Sequence, residues 1–171
     1  MQMATMKEEK RMDVSNALSH EGKYLTFVLS DEEYGIAILK VREIIGIMSI
    51  TPVPQTPVYI KGVINLRGKV IPVIDLRLKF GFPEAEYTKE TCIIVVEVGN
   101  TLTGVIVDTV SEVLDVNTGE LESSPHLGTS IDTEIFLGMA KIKDKVKILL
   151  DIDKVLQIEE INMVERLANI G

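Results

Sequence analysis

The apolar positions of this chain fall in short runs broken by polar, glycine-bearing tips, and residues 62–75, reading GVINLRGKVIPVID, show the pattern most clearly. Val63-Ile64 and the run 70–74 flank Asn65-Leu66-Arg67-Gly68, where Gly68 can supply the positive φ that a tight hairpin demands. Arg67 therefore stands at an exposed corner. A guanidinium on a rigid tip stays charged and offers a planar fork of donors, which suits a partner's carboxylates or carbonyls. The plainer reading is a solvated turn cation.

The same grammar runs along the rest of the chain. Residues 24–29 read as a strand, 30–33 as a polar turn and 34–39 as a second strand, so a hairpin is expected. Within 40–45, Val41, Ile44 and Ile45 fall at i, i+3 and i+4, which predicts a short helical turn with one apolar face. Pro52, Pro54 and Pro57 exclude regular helix or a central strand from 51–57 and leave an extended connector. Residues 76–80 read as one more helical turn, with Asp75 as its N-cap.

Beyond the polar stretch 81–90 the pattern repeats. Sliding residues 24–47 forward by 69 places Gly35 on Gly104, Val41 on Val110 and Glu43 on Glu112. Sliding 59–80 by 76 places Gly62 on Gly138, Lys69 on Lys145, Val70 on Val146 and Asp75 on Asp151. The matches include turn glycines and a helix cap, which have specific backbone duties, so the chain reads as an internal duplication. About five short strands per half are too few to cover both faces of an open sheet. The expected fold is mainly β, two small five-stranded barrels packed together, with short helical turns. In 159–171, Ile161, Val164, Leu167 and Ala168 share a helical face and predict a terminal helix laid across a barrel. The expected layout is a flexible arm over 1–22, the barrel unit over 23–158 and the helix over 159–171.

Composition narrows the function. Of the 171 residues 46% are hydrophobic and only 5% aromatic, so Val, Ile and Leu carry the apolar load, as strands prefer. A formal charge of -8 argues against nucleic acid and against adsorption to an anionic membrane surface. No apolar run approaches the roughly 20 residues that span a bilayer, and the N-terminal stretch has no signal-type apolar core, so a cytoplasmic protein is expected. Cys92 is the single cysteine, which excludes an internal disulfide, and its apolar run predicts a buried, inert thiol.

Chemistry is sparse. His20 and His126 lie far apart with no companion at ligand spacing, so no metal site is expected, and no nucleophile elbow or phosphate- or dinucleotide-binding glycine motif implies a cofactor. Asp108, Glu112, Asp115, Asp151 and Asp153 form no recognisable acid-base pair. What is left is a binding module whose function lies in its surfaces.

Four segments then carry a specific likeness: DEEYGI at 31–36, ILKVREI at 38–44, PVYIKGV at 57–63 and NLRGKVIPVIDL at 65–76. In this order and spacing they closely resemble the CheW family, the coupling proteins of bacterial chemotaxis, over residues 24–156. The family's two SH3-like barrels agree with the duplication. The resemblance implies an adaptor without catalysis that docks on the cytoplasmic tips of methyl-accepting chemoreceptors and on the regulatory domain of the histidine kinase CheA, and is thereby recruited to membrane-bound arrays. It assigns the receptor-facing groove to Val41, Glu43, Gly62 and Arg67, and the kinase contact to Glu32, Glu122 and Leu127. Leu127 stands where some relatives have a larger aromatic. Taken singly, Val41 also reads as core, Glu43 as a solvated charge and Gly62 as a turn residue. The same fold serves as the kinase's own regulatory domain and as the first domain of CheV, but this chain has neither kinase elements nor room for a receiver. A small-barrel nucleic-acid binder is the remaining alternative, opposed by the acidic charge.

Overall fold

The computed structural model describes residues 22–117, 120–122 and 135–156. The first hairpin, β1 (Gly22–Leu29) and β2 (Glu32–Ala37), turns over Ser30 and Asp31, both at positive φ. A single 3-10 turn, Ile38–Lys40, leads into β3 (Val41–Gly46). The second hairpin, β4 (Ile60–Leu66) and β5 (Lys69–Asp75), turns over Arg67 at φ 52° and Gly68 at φ 87°, as the polar tip required. It is followed by α1 (Leu76–Lys79), capped by Asp75, whose carboxylate accepts from the Arg77 and Leu78 amides at 2.9 and 3.4 Å.

The second half repeats these elements: β6 (Cys92–Val98), β7 (Thr101–Val107), β8 (Thr109–Val116), the short β9 (Leu121–Glu122), β10 (Phe136–Ile142), β11 (Lys145–Leu150) and α2 (Ile152–Val155). Even the irregularities recur. The bulge at Ile60/Gly62 in β4 reappears at Phe136/Gly138 in β10, and Asp151 caps α2 as Asp75 caps α1.

The repeats are not the barrels. One sheet runs β8-β1-β2-β11-β10-β9 and the other β3-β6-β7-β5-β4, so each joins the first hairpin of one half to the third strand and second hairpin of the other. Each sheet has one parallel seam, β2 with β11 or β5 with β7, and one antiparallel seam, β1 with β8 or β3 with β6, and the seams obey the same offsets as the sequence repeat. The halves therefore interlock by reciprocal exchange. The sheet holding β1 and β11 is called the terminal barrel below, and the sheet holding β3 to β7 the central barrel.

Period-two alternation sorts the apolar side chains into three compartments. Leu25, Phe27 and Leu29 of β1 and their repeat mates Ile94, Val96 and Val98 of β6 face the core between the barrels, where Leu76 and Ile152 join them. The opposite faces line the barrel interiors: Ile64, Ile71, Val73, Ile93, Val95 and Ile106 in the central barrel, and Tyr24, Val116, Ala140 and Leu149 in the terminal one. Full burial of each such Ile, Leu or Phe is worth about 1.5–3 kcal/mol, which makes the shared core the main bond between barrels.

Two expectations change. Residues 41–46 are strand β3, not a helical turn, because a bulge between Val41 and Glu43 shifts the period and lets Val41 pack on the shared core while Ile45 faces the central barrel. Cys92 is only half-buried, since it opens β6 at the sheet end, and its thiol donates to the Glu90 carbonyl. The arm over 1–22, apart from Gly22 itself, and the helix over 159–171 lie outside the described residues.

Candidate functional site: the closing edge of the central barrel

The central barrel has two edge strands, β3 and β4, and no ladder of hydrogen bonds joins them. Two devices close the gap. The connector leaving β3 returns at Thr51, whose N–H and carbonyl both bond to Val63 of β4, at 2.8 and 2.9 Å. The Arg67 guanidinium, on the β4–β5 tip, forms an ion pair with the Glu43 carboxylate on β3. Ile44 of β3 and Val70 of β5 remain exposed.

Of the four residues assigned to the receptor groove, Arg67 and Glu43 are thus in direct contact. Arg67 is 69% exposed and keeps donors for a partner. Val41 is half-buried against the core between the barrels, so its packing role is real. Gly62 is a backbone device. Its φ is +142°, and a Cβ built there would lie 2.0 Å from the Thr51 carbonyl oxygen, so only glycine lets connector and strand approach this closely. Gly138 repeats the arrangement under Glu122 of β9.

The residues assigned to the kinase contact sit on the terminal barrel. Glu32 opens β2 and is exposed; Glu122 closes β9 and pairs with Lys141 Nζ at 2.9 Å. Leu127 lies outside the described residues.

Sequence reasoning passed over a buried lysine with two acidic partners. Lys147 of β11, only 6% exposed, stands inside the terminal barrel with its Nζ 2.5 Å from Glu33 and 3.5 Å from Glu112. Its repeat mate is Ile71, an apolar filler of the central barrel. A lysine standing at a matched position where the other copy has isoleucine was the available signal.

The carboxylates between the barrels are already employed. Asp108 accepts from Arg77 Nε at 2.6 Å and Nη2 at 2.7 Å, and from the Ser30 amide at 2.9 Å. Burial pushes the Asp108 carboxyl up, but the Arg77 and Ser30 hydrogen bonds and the Arg77 charge outweigh it and hold it below the usual carboxylate range. The same bonding raises the Arg77 guanidinium further. Asp75 is buried, caps α1 and accepts from the Tyr87 hydroxyl at 3.1 Å; burial first, then this carboxylate, pushes Tyr87 well above the ordinary phenol range. Burial alone pushes Tyr24 up to about 12. These groups tie turns to strands and leave no poised acid-base pair. Among the described residues no three His, Cys, Asp or Glu side chains converge as a metal set. No described helix is long and apolar enough to cross a membrane.

Comparison with known proteins agrees with this geometry. The model of the CheW-like domain matches residues 23–160. The chain is 40% identical over 146 residues to the chemotaxis protein CheW of Klebsiella aerogenes, covering 85% of this chain and 88% of that one. It is 38% identical over 138 residues to the chemotaxis protein CheW of Bacillus subtilis, covering 80% and 88%. The crystal structure of a CheW scaffolding protein from Thermoanaerobacter tengcongensis superposes with a TM-score of 0.74 at 39% identity, over 82% of this chain and 95% of that chain.

Proposed function

The chain belongs to the CheW family and serves chemotaxis signalling as an adaptor, and we propose that it does so by holding two partners at once, without catalysis. One partner is the cytoplasmic tip of a methyl-accepting chemoreceptor, seated at the closing edge of the central barrel. The other is the regulatory domain of a CheA-type histidine kinase, seated on the terminal barrel. In this reading the chain is cytoplasmic and reaches the membrane only through its receptor.

The observation that carries the receptor site is the Arg67–Glu43 pair beside exposed Ile44 and Val70. A helical receptor hairpin presents charged rows on either side of an apolar ridge, and this edge offers both signs of charge around branched apolar side chains. Coupling then follows from simultaneous binding: a receptor rearrangement that changes its fit at one barrel alters the kinase held on the other, through a shared core that does not deform continuously.

Titration calorimetry of the purified chain against a receptor-tip fragment and against a CheA regulatory domain tests this directly. Saturable binding to both, each undisturbed by the other, is the expected result. A folded chain that binds neither is not this adaptor.

A further inference from the structure

The backbone of this fold does not by itself decide which half closes on which. In the seam of β2 with β11, Gly35 stands level with Leu149, and their repeat mates Gly104 and Val73 stand level in the seam of β7 with β5. The antiparallel seams agree in the same way, Phe27 lying opposite Val110 and the mates Val96 and Val41 opposite each other. The same ladders can therefore join the first half of one chain to the first half of a second copy. Two first halves so joined would carry two Arg67–Glu43 edges, and two second halves would carry none.

Side chains at three places separate the two outcomes. In the β2–β11 seam Glu33 meets the buried Lys147 at 2.5 Å. Their mates Leu102 and Ile71 hold the same point of the β5–β7 seam as apolar filling of the central barrel. Self-pairing would set Glu33 against Ile71 and Lys147 against Leu102. Glu33 would then lose its cation, and Lys147 would keep only its longer contact to Glu112, at 3.5 Å. Breaking a buried ion pair in this way is strongly destabilising, whereas pairing of unlike halves avoids both mismatches.

Two ion pairs nearer the surface repeat the distinction. Arg77 on α1 binds Asp108, in the turn before β8, at 2.6 Å. At the matching junction Asp153 on α2, the repeat mate of Arg77, binds Lys40, in the turn before β3, at 2.8 Å. The polarity is reversed. Closed on its own kind, α1 would bring Arg77 to the turn that carries Lys40, and α2 would bring Asp153 to the turn that carries Asp108, so like charge would meet like.

We propose that the buried Glu33–Lys147 pair and the reversed pairs Arg77–Asp108 and Lys40–Asp153 form a recognition code that directs each half of the chain to the unlike half and bars self-pairing between two copies. Each folded body then carries one Arg67–Glu43 edge and one terminal barrel. A buried polar group that selects its partner at a cost in stability is the best-attested use of such groups. The code also accounts for a lysine inside the terminal barrel where isoleucine fills the central one.

Refolding of the full chain from urea over a range of concentrations, followed by size-exclusion chromatography with light scattering, tests the code. Glu33→Leu/Lys147→Ile makes both parallel seams apolar. Lys40→Asp/Asp153→Lys keeps an ion pair within the chain but gives both junctions one polarity, so a merely structural role of the pair is preserved. Wild type is expected to refold as a monomer. At the same concentration each variant is expected to raise the fraction of dimer that persists on dilution by about fivefold or more, and unfolding followed by refolding at high dilution returns it to monomer. If the apolar variant fails to fold, the junction exchange decides. Folded variants that refold with the wild-type monomer fraction overturn the code, as does a wild type that itself refolds into persistent dimers.

Discussion

Arg67 and Glu43 neutralise each other across the open edge of the central barrel, so two residues assigned to one binding surface are each other's partner in the free chain. A receptor that docks here does not meet two bare charges. It meets a pair that must share its hydrogen bonds or exchange them, so the proposed docking is expected to be sensitive to charge order.

Arg67→Glu replaces that pair with two carboxylates. The pair is largely solvent-exposed, so the change in folding stability is expected to stay within about 1 kcal/mol. Receptor-fragment affinity is expected to fall by roughly tenfold or more, by analogy with charge reversals at interfaces. Parallel thermal melts and calorimetric titrations check both halves of this statement; normal receptor binding removes Arg67 from the groove.

Gly62→Ala addresses a residue that works through the backbone. The added Cβ meets the Thr51 carbonyl and the left-handed φ is strained, so a loss of about 2–4 kcal/mol is expected in urea unfolding. Gly46→Ala meets nothing within 4 Å and is expected to change stability by less than about 1 kcal/mol. Equal effects at the two positions contradict the proposed clamp between connector and strand.

Tyr24 sits fully buried in the terminal barrel, and its hydroxyl has no hydrogen-bond partner among the described residues. Removing an unsatisfied buried polar group relieves its desolvation cost, so Tyr24→Phe is expected to stabilise the fold by about 1 kcal/mol. A lower melting temperature in the variant shows that the hydroxyl is engaged after all.

Asp108 governs part of the acid response. Its folded pKa lies below the ordinary carboxylate value, so the unfolded chain binds more protons as pH falls. The stability it contributes is complete above the unfolded pKa and disappears as pH drops through the folded one. Asp108→Asn is expected to lower the urea midpoint at neutral pH and to flatten its decline toward acid. An unchanged slope assigns the acid sensitivity to other carboxylates.

Much of this fold is legible in the chain itself. The tip at Arg67-Gly68, the cap at Asp75 and the repeat offsets are local properties, written in residue types with fixed backbone duties. The exchange of strands is not, because which hairpin β8 or β3 joins is decided by burial in three dimensions and leaves no mark in either strand. Strand β3 misled for a related reason: a bulge turns period two into a spacing that imitates a helix. The pairing of Arg67 with Glu43 needed the closed barrel to bring two distant edges together. Lys147 was readable in principle, through its mismatch with Ile71 in the repeat.

The reciprocal seams also set a timetable for synthesis. Tyr34 finds its β11 neighbour only when Ile148 has been made, and Ile45 of β3 finds its own only when Ile93 of the second half has emerged. A ribosome-bound chain that has released only its first half holds a hairpin whose apolar outer face has nothing to lie against. Long-range pairing of this kind slows folding and leaves edges open to strangers in the interval. The adaptor therefore folds as a closing act, once its last strand has emerged, and a chain cut short before β11 leaves β2 with an unpaired edge in place of a finished barrel.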